Sequence, residues 1–126
     1  SPKINIFNGS SDSSGTVNFL NVNLKRKSSE SNSDLHIGIR PEHLEITNDK
    51  DENTFSGTVA YRENLGSDIY FHVNIEDNSK KIIVRGLPQF THQIINGSSV
   101  NIKRDSNKAL LFNQTGMRVQ FNNATG

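Results

Sequence analysis

The sequence predicts an all-β fold: a small barrel or sandwich of about seven to nine short strands, joined by polar loops and with at most one short helical turn. Three observations lead to this prediction. Apolar residues alternate with polar ones, as in strands that bury one face. Turn-forming residues interrupt these runs about every ten residues. The segment from Gln89 to Ile95, after Pro88, is the one stretch with a weak pattern for a helical turn.

The strands follow from the apolar alternation, taken in order along the chain. Val17 and Phe19 alternate, and Leu20, Val22 and Leu24 continue in the opposite phase. A slip of one residue moves the apolar side chains to the other face, so we expect a bulge or a switch between sheets near Phe19 and Leu20. The later strands are predicted around Leu35–Ile39, Phe55–Tyr61, Ile69–Ile75, Ile82–Val84, Val100–Ile102, Ala109–Phe112 and Met117–Phe121.

Short polar segments between these runs have the composition of turns. Residues Glu76–Ser79 and Asn113–Gly116 separate alternating runs and are predicted to be hairpin loops. Asn96 and Gly97 form another predicted turn. Three longer stretches contain no apolar side chain, so we expect them to be polar loops within a single domain that spans residues 1–126. These stretches are residues 8–15, 25–34 and 48–53.

Size, charge and composition argue against several classes of function. The 126 residues are about one domain's worth. A formal net charge of +1 does not favour duplex nucleic acid or an anionic membrane as a partner. The absence of cysteine removes disulfide scaffolds, Cys-type zinc sites and thiol catalysis. No apolar run approaches the roughly 20 residues of a membrane span. The opening Ser1-Pro2-Lys3 lacks methionine, and we expect the chain to be a piece of a longer protein.

No catalytic or metal site can be assembled from sequence motifs. The four histidines, His36, His43, His72 and His92, show no metal-ligand spacing. His72 lies on the polar phase of the Ile69–Ile75 strand, so we expect it to face solvent. The chain has neither a nucleophile elbow nor a phosphate-binding P-loop. We therefore expect no catalytic residue, metal site, nucleotide site or cofactor in this segment.

The first candidate functional segment comprises Arg40, Pro41, Glu42 and His43. Pro41 has a fixed φ and favours extended backbone at Arg40, so a strand should end there and a tight turn begin. Arg40 could then pair with Glu42 or with a backbone carbonyl. The turn could simply fasten two strands, or it could contact a ligand or another subunit.

The second candidate segment comprises Glu63, Leu65, Gly66, Ser67 and Asp68. Gly66 permits a sharp bend before the next strand. Glu63 and Asp68 add charge beside an apolar Leu65. The segment is therefore either a structural bend or a loop that faces a partner.

Both segments belong to an ordered set of motifs. The set is Ser1–Asn5, Gly38–His43 with the sequence G-I-R-P-E-H, Glu63–Ser67 with E-N-L-G-S, and Leu110–Arg118 with L-L-F-N-Q-T-G-M-R. In this order the motifs resemble the C-terminal regulatory domain of carbohydrate-uptake ABC-importer ATP-binding subunits, such as those for maltose, sn-glycerol 3-phosphate or multiple sugars. Two positions depart from the family pattern, because Ile4 stands in place of methionine and Leu110 in place of histidine. The resemblance covers essentially the whole chain.

The resemblance implies a fold and a role. The fold is a β-barrel related to the oligomer-binding (OB) fold, known as the transport-associated OB or TOBE-type domain. The parent ATPase core would bind ATP and Mg, whereas this domain would be a non-catalytic regulatory and dimerisation domain. Its implied partners are a second copy of the ATP-binding subunit, the membrane subunits of the importer and a regulatory protein, without nucleic acid. Its implied location is cytoplasmic, at the inner face of the bacterial plasma membrane.

Two alternative functions stay open at the level of the sequence. A small-ligand sensor would bind an oxyanion or glycerol phosphate in a cleft near Arg40 and Arg85. A free single-stranded nucleic-acid-binding OB module would stack bases on aromatic side chains within a cationic groove. The aromatic residues of the clearest strands fall mainly on the predicted core faces, which gives the second alternative little support.

Overall fold

A computed structural model describes residues 3–20, 22–28, 34–77, 79–89, 93–105, 108–113, 116–119 and 121–122. Within these residues the chain forms strands and one 3-10 turn, η1 (Pro41–His43). The strands are β1 (Asn5–Ser11), β2 (Thr16–Phe19), β3 (Val22–Ser28), β4 (Leu35–Ile39), β5 (Leu44–Thr47), β6 (Thr54–Asn64), β7 (Ile69–Ile75), β8 (Lys80–Gly86), β9 (Ser99–Arg104), β10 (Leu110–Asn113), β11 (Arg118–Val119) and β12 (Phe121–Asn122). The predicted all-β, OB-like class is confirmed.

The chain divides into two compact units. The barrel unit comprises residues 1–4 and Arg40–Asp105, and the sheet unit comprises Asn5–Ile39 and Ser106–Gly126. The barrel unit is thus nearly continuous in sequence, whereas the sheet unit is assembled from the two ends of the chain. That residues 1–126 act together as one domain stays a prediction.

The barrel unit is a closed sheet with the strand order β5-β8-β7-β6-β9. The β6–β7 and β7–β8 neighbours are antiparallel hairpins, and a parallel β5–β8 pair at Glu45 and Arg85 closes the barrel. Alternate positions of β5, β8 and β9 are buried, because apolar side chains on one face of a strand gain free energy by leaving water. The barrel core includes Leu44, Val59, Phe71, Val73, Ile82, Val84 and Ile102.

The sheet unit has the strand order β11-β10-β4-β1-β2-β3-β12. Its two outermost strands, β11 and β12, are separated along the chain by a single residue. In a flat sheet, seven strands about 4.8 Å apart would hold their edges close to 30 Å from each other. One intervening residue spans only a few ångströms, so the sheet must curl until its two edge strands, β11 and β12, lie close together. Its core includes Phe7, Val17, Phe19, Leu35, Ile37, Ile39 and Leu111, with the Phe7 and Phe19 ring centroids 5.5 Å apart.

Two of the predicted polar loops are partly strand. Residues 8–11 belong to β1, which pairs with β4 and with β2. Residues 25–28 belong to β3, and residues 29–33 lie outside the described part of the chain. A ladder of backbone hydrogen bonds does not require apolar side chains, so a polar segment becomes a strand where neighbouring strands supply partners. Residues 48–53 form the predicted connector.

Near Phe19 and Leu20, where a bulge or a switch between sheets is expected, the structure has a hairpin, and the register of β2 against β3 shifts just before it, between Thr16 and Asn18. Phe19 pairs with Val22, and Leu20 has a left-handed φ of 51°, so the chain reverses direction within two residues. In such a hairpin the paired residues are three apart, and the parity of the alternation changes across the turn. A two-residue hairpin and a bulge therefore both shift the apolar alternation by one residue, and the sequence pattern does not distinguish them.

The other predicted turns occur where their sequences place them. Gly97 and Gly116 adopt positive φ values of 88° and 85°. The Glu76–Ser79 loop joins β7 to β8, and the Ser79 N–H donates to the Glu76 carbonyl oxygen over 3.0 Å. The helical turn suggested for Gln89–Ile95 falls partly on residues 90–92, which lie outside the described residues.

Candidate functional site

The Arg40–His43 turn leads from β4 into β5. Arg40 is extended, with φ −67° and ψ 149°, and Pro41 starts the 3-10 turn with its ring buried. The His43 N–H donates to the Arg40 carbonyl oxygen over 2.9 Å. The His43 carbonyl oxygen in turn accepts the Asp105 N–H over 2.9 Å. The predicted tight turn is confirmed, and it ties the start of the barrel segment to its end.

The charged side chains of this turn are solvated. Arg40 and Glu42 are exposed, and no ion pair joins these two described residues, so the Arg40–Glu42 pair, one of the two alternatives for Arg40, is not formed. His43 is half-buried, and its Nδ1 atom has no hydrogen-bond partner in the part of the chain that the structure describes. Both charges of the turn are therefore available to a partner.

The second candidate segment is the exposed loop between β6 and β7. The Leu65 N–H donates to the Asp68 carbonyl oxygen over 2.9 Å, which closes a tight loop. Gly66 adopts a φ of +88°, which favours glycine, and its N–H donates to Asn64 Oδ1 over 3.0 Å. Leu65, Ser67 and Asp68 are all exposed, and Leu65 retains 48% of its accessible surface. The predicted sharp bend is confirmed, and it displays an apolar side chain.

Both candidate segments reach the surroundings of Tyr70, on β7. Burial raises the pKa of Tyr70, and the carboxylates of Asp68 and Glu42 raise it further, while Arg85 opposes them. Asp68 comes two residues before Tyr70 in the chain, Arg85 is paired with Tyr70 across β7 and β8, and the η1 turn that carries Glu42 packs against β8. We call this group, with Arg40 and Leu65, the Tyr70 end of the barrel. Tyr70 was not a predicted site residue, because its place on the polar phase of β7 gave no sign of what surrounds it.

Arg85 belongs to the Tyr70 end through the strand register. It pairs with Tyr70 on β7 and with Glu45 on β5, at the point where the barrel closes. Arg85, Glu42 and Asp68 all act on the Tyr70 phenol, so the Tyr70 end carries charges of both signs. This mixed charge does not favour an oxyanion over a protein partner, since the carboxylates repel an anion that the guanidinium attracts.

Comparison with known protein families matches residues 37–112 to the TOBE domain. The match takes in the entire Arg40–Asp105 segment of the barrel unit, and it covers more than half of the chain. The chain belongs to the TOBE-domain family. No curated protein matches the chain. Both candidate segments of this TOBE domain, Arg40–His43 and Glu63–Asp68, lie inside the matched range.

The outer face of the TOBE barrel carries a stacked pair that corrects one prediction. His72 does not face solvent as expected: it is only 8% exposed, and its ring lies 4.1 Å from the Tyr61 ring at an interplanar angle of 12°. His72 Nε2 is also 3.3 Å from Glu63 Oε1. A register shift in β6 between Val59 and Tyr61 places Tyr61 directly opposite His72. Glu63, a member of the candidate partner-facing loop, therefore has a partner within the barrel.

The TOBE domain shows two further features in its described residues. No group of three or more His, Asp or Glu side chains there could hold a metal ion. None of the described helical segments is long and apolar enough to cross a membrane. His92 lies outside the described residues, so the statement about metal-binding groups does not cover it.

Proposed function

We propose that this TOBE domain is the non-catalytic regulatory and dimerisation domain of the ATP-binding subunit of a bacterial ABC importer for sugars or sugar phosphates. The match of residues 37–112 to the TOBE domain is the observation that supports this function most directly. The ordered motifs from Ser1 to Arg118 favour the carbohydrate-uptake branch of these importers. ATP and Mg would then be bound by the parent ATPase core, at the inner face of the plasma membrane.

The Tyr70 end is the surface that we assign to a protein partner. It combines the exposed, apolar Leu65 with the exposed charges of Arg40, Glu42 and Asp68. A protein contact of this kind excludes water around an apolar centre and uses charged side chains at the rim to choose the partner. The partner would be a second ATP-binding subunit or a regulatory protein.

Regulation would follow from a difference in affinity. A partner that binds one arrangement of the paired subunits more tightly shifts the population towards that arrangement, and so changes how readily the ATPase cores close. The shift cannot exceed the difference in binding free energy between the two arrangements. Contact surfaces are sufficient for this role, and it requires no catalytic side chain in the TOBE domain.

The test uses the full-length ATP-binding subunit reconstituted with its membrane subunits. Leu65→Asp places a charge at the centre of the proposed contact, and we expect it to weaken subunit association or regulator binding by about tenfold or more. Ile95→Asp is the matched control, because Ile95 is 70% exposed but lies outside the Tyr70 end. Unchanged association, transport-coupled ATPase and inhibitor response after removal of the whole domain would refute the proposal.

A further inference from the structure

A polar groove lies on the outer surface of the barrel, towards the opposite end of β7 from Tyr70. Its volume is about 460 Å³, within the range of small-molecule sites. Tyr70 and Asn74 are four residues apart on β7, or roughly 13 Å, so the groove is distinct from the Tyr70 end. The side chains of its floor come from three neighbouring strands: Ser56, Thr58, Asn74, Ser99 and Asn101.

The strand register explains why a depression forms here. Thr58 on β6 is paired with Asn74 on one side and with Ser99 on the other. Ser56, two residues earlier on the same face, is paired with Asn101. All five side chains are short and uncharged, whereas an exposed strand face usually carries many long charged side chains. The floor is therefore lower than the longer side chains at its margin.

The floor has hydrogen-bonding capacity that the protein leaves unused. Ser56 Oγ donates to Asn101 Oδ1 over 3.3 Å, which leaves the Asn101 amide group free to donate. No hydrogen bond joins the side chains of Thr58, Asn74 or Ser99 to any part of the chain that the structure describes. Hydroxyl and amide side chains both donate and accept hydrogen bonds, and adjacent strands place them about 4.8 Å apart.

Charge at the margin selects among possible ligands. Lys50 lies on the loop after β5, and Glu76 and Asp77 lie on the turn after β7. One positive and two negative side chains leave the margin with a net negative charge, which disfavours phosphate and other anions. Both carboxylates line the groove, where they can accept hydrogen bonds from ligand hydroxyls.

We propose that the polar groove binds a neutral polyhydroxylated compound with the size of a mono- or disaccharide. Each hydroxyl of such a compound donates and accepts, which matches a floor of hydroxyl and amide groups bordered by carboxylates. This site goes beyond the proposed regulatory function, since binding at the groove requires neither a partner subunit nor ATP. It also differs in chemistry from an anion site beside Arg40 and Arg85.

The test is a titration of the chain with glucose, maltose, sorbitol and inorganic phosphate, followed by the backbone amide signals in NMR spectra. We expect at least one of the three neutral probes to give saturable shifts centred on Thr58 and Ser99. Phosphate at the same concentrations should leave these signals unchanged. The readout is binding by the chain itself, so it does not depend on transport or on subunit association.

Matched serine variants locate the site. Ser99→Ala removes a floor hydroxyl, whereas Ser67→Ala removes a hydroxyl from the loop at the Tyr70 end, and both serines are exposed. We expect Ser99→Ala combined with Thr58→Val to weaken binding of the neutral probe by roughly tenfold, and Ser67→Ala to leave it unchanged. Well-dispersed spectra of all variants show that they are folded. Absence of saturable binding for every neutral probe, equal shifts with phosphate, or equal weakening by Ser67→Ala would overturn the assignment.

Discussion

The barrel unit and the sheet unit both consist of short strands of alternating apolar and polar residues. They differ in how far apart in the chain their paired strands lie. In the barrel, β6, β7 and β8 follow one another through short turns, and the whole of β7 is paired with β8. In the sheet unit, β4 pairs with β10, where Leu111 lies opposite Ile37. Pairing of distant segments must first overcome the entropy of closing a long loop. Local alternation therefore predicts hairpins such as β6–β7 and β7–β8 well, whereas it gives little information about distant pairs such as β4–β10 in the sheet unit or β6–β9 in the barrel.

The largest effect that we expect from a single substitution is in the barrel core. Phe71 is fully buried, and an added Cβ on Gly86 would lie only 2.5 Å from its ring, so there is little room for the core to rearrange around it. Phe71→Ala should lower the free energy of unfolding by about 3–5 kcal/mol, measured by urea denaturation. The half-buried Phe55 provides the same substitution as a control, and an equal loss for Phe55→Ala would contradict this account.

A somewhat smaller loss is expected in the core of the sheet unit. Leu111 is fully buried and lies on β10, the strand that reaches β4 from the other end of the chain. Leu111→Ala should cost about 2–5 kcal/mol, and it should speed hydrogen exchange in β4 as well as in β10. The exposed Leu65 offers a control, for which Leu→Ala should change stability by less than about 0.5 kcal/mol. Unchanged exchange in β4 would show that the β4–β10 pairing contributes little.

The smallest effect concerns the turn between β1 and β2. Asp12 Oδ1 accepts hydrogen bonds from the Ser14 hydroxyl over 2.6 Å and from the Ser14 and Thr16 N–H groups. The Ser14 hydroxyl, helped by the backbone donors, lowers the pKa of Asp12 below its usual value. A carboxyl whose pKa is lower when folded stabilises the protein above its unfolded pKa of about 3.9, and this contribution disappears as the pH falls through the folded pKa.

Asp12→Asn tests this dependence, because the amide keeps an acceptor oxygen but does not titrate in this range. The difference in urea midpoint between the original chain and the variant should shrink as the pH falls from about 6 towards about 2.5. A difference that stays constant over this range would contradict a titrating Asp12.

The candidate site was predictable only in part. The sequence predicted the Arg40–His43 turn and the bend at Gly66, since Pro41 and Gly66 restrict or permit particular backbone angles through their own covalent structure. It did not predict that both segments reach Tyr70, or that Glu63 is already bonded to His72. Those contacts depend on strand register, including the shift in β6 between Val59 and Tyr61, which no local pattern specifies.

The sequence by itself determined the all-β class, the Ile69–Ile75 strand, the hairpin turns and the family resemblance, because each depends on residues close together in the chain. Only the tertiary structure decided that residues 8–11 and 25–28 become strands, and that the chain divides into two units. It also decided that five short polar side chains share one groove on the outside of the barrel. These features depend on which strands pair and in which register, because backbone hydrogen bonds between strands bring segments of the chain together. Such pairing depends on the whole fold.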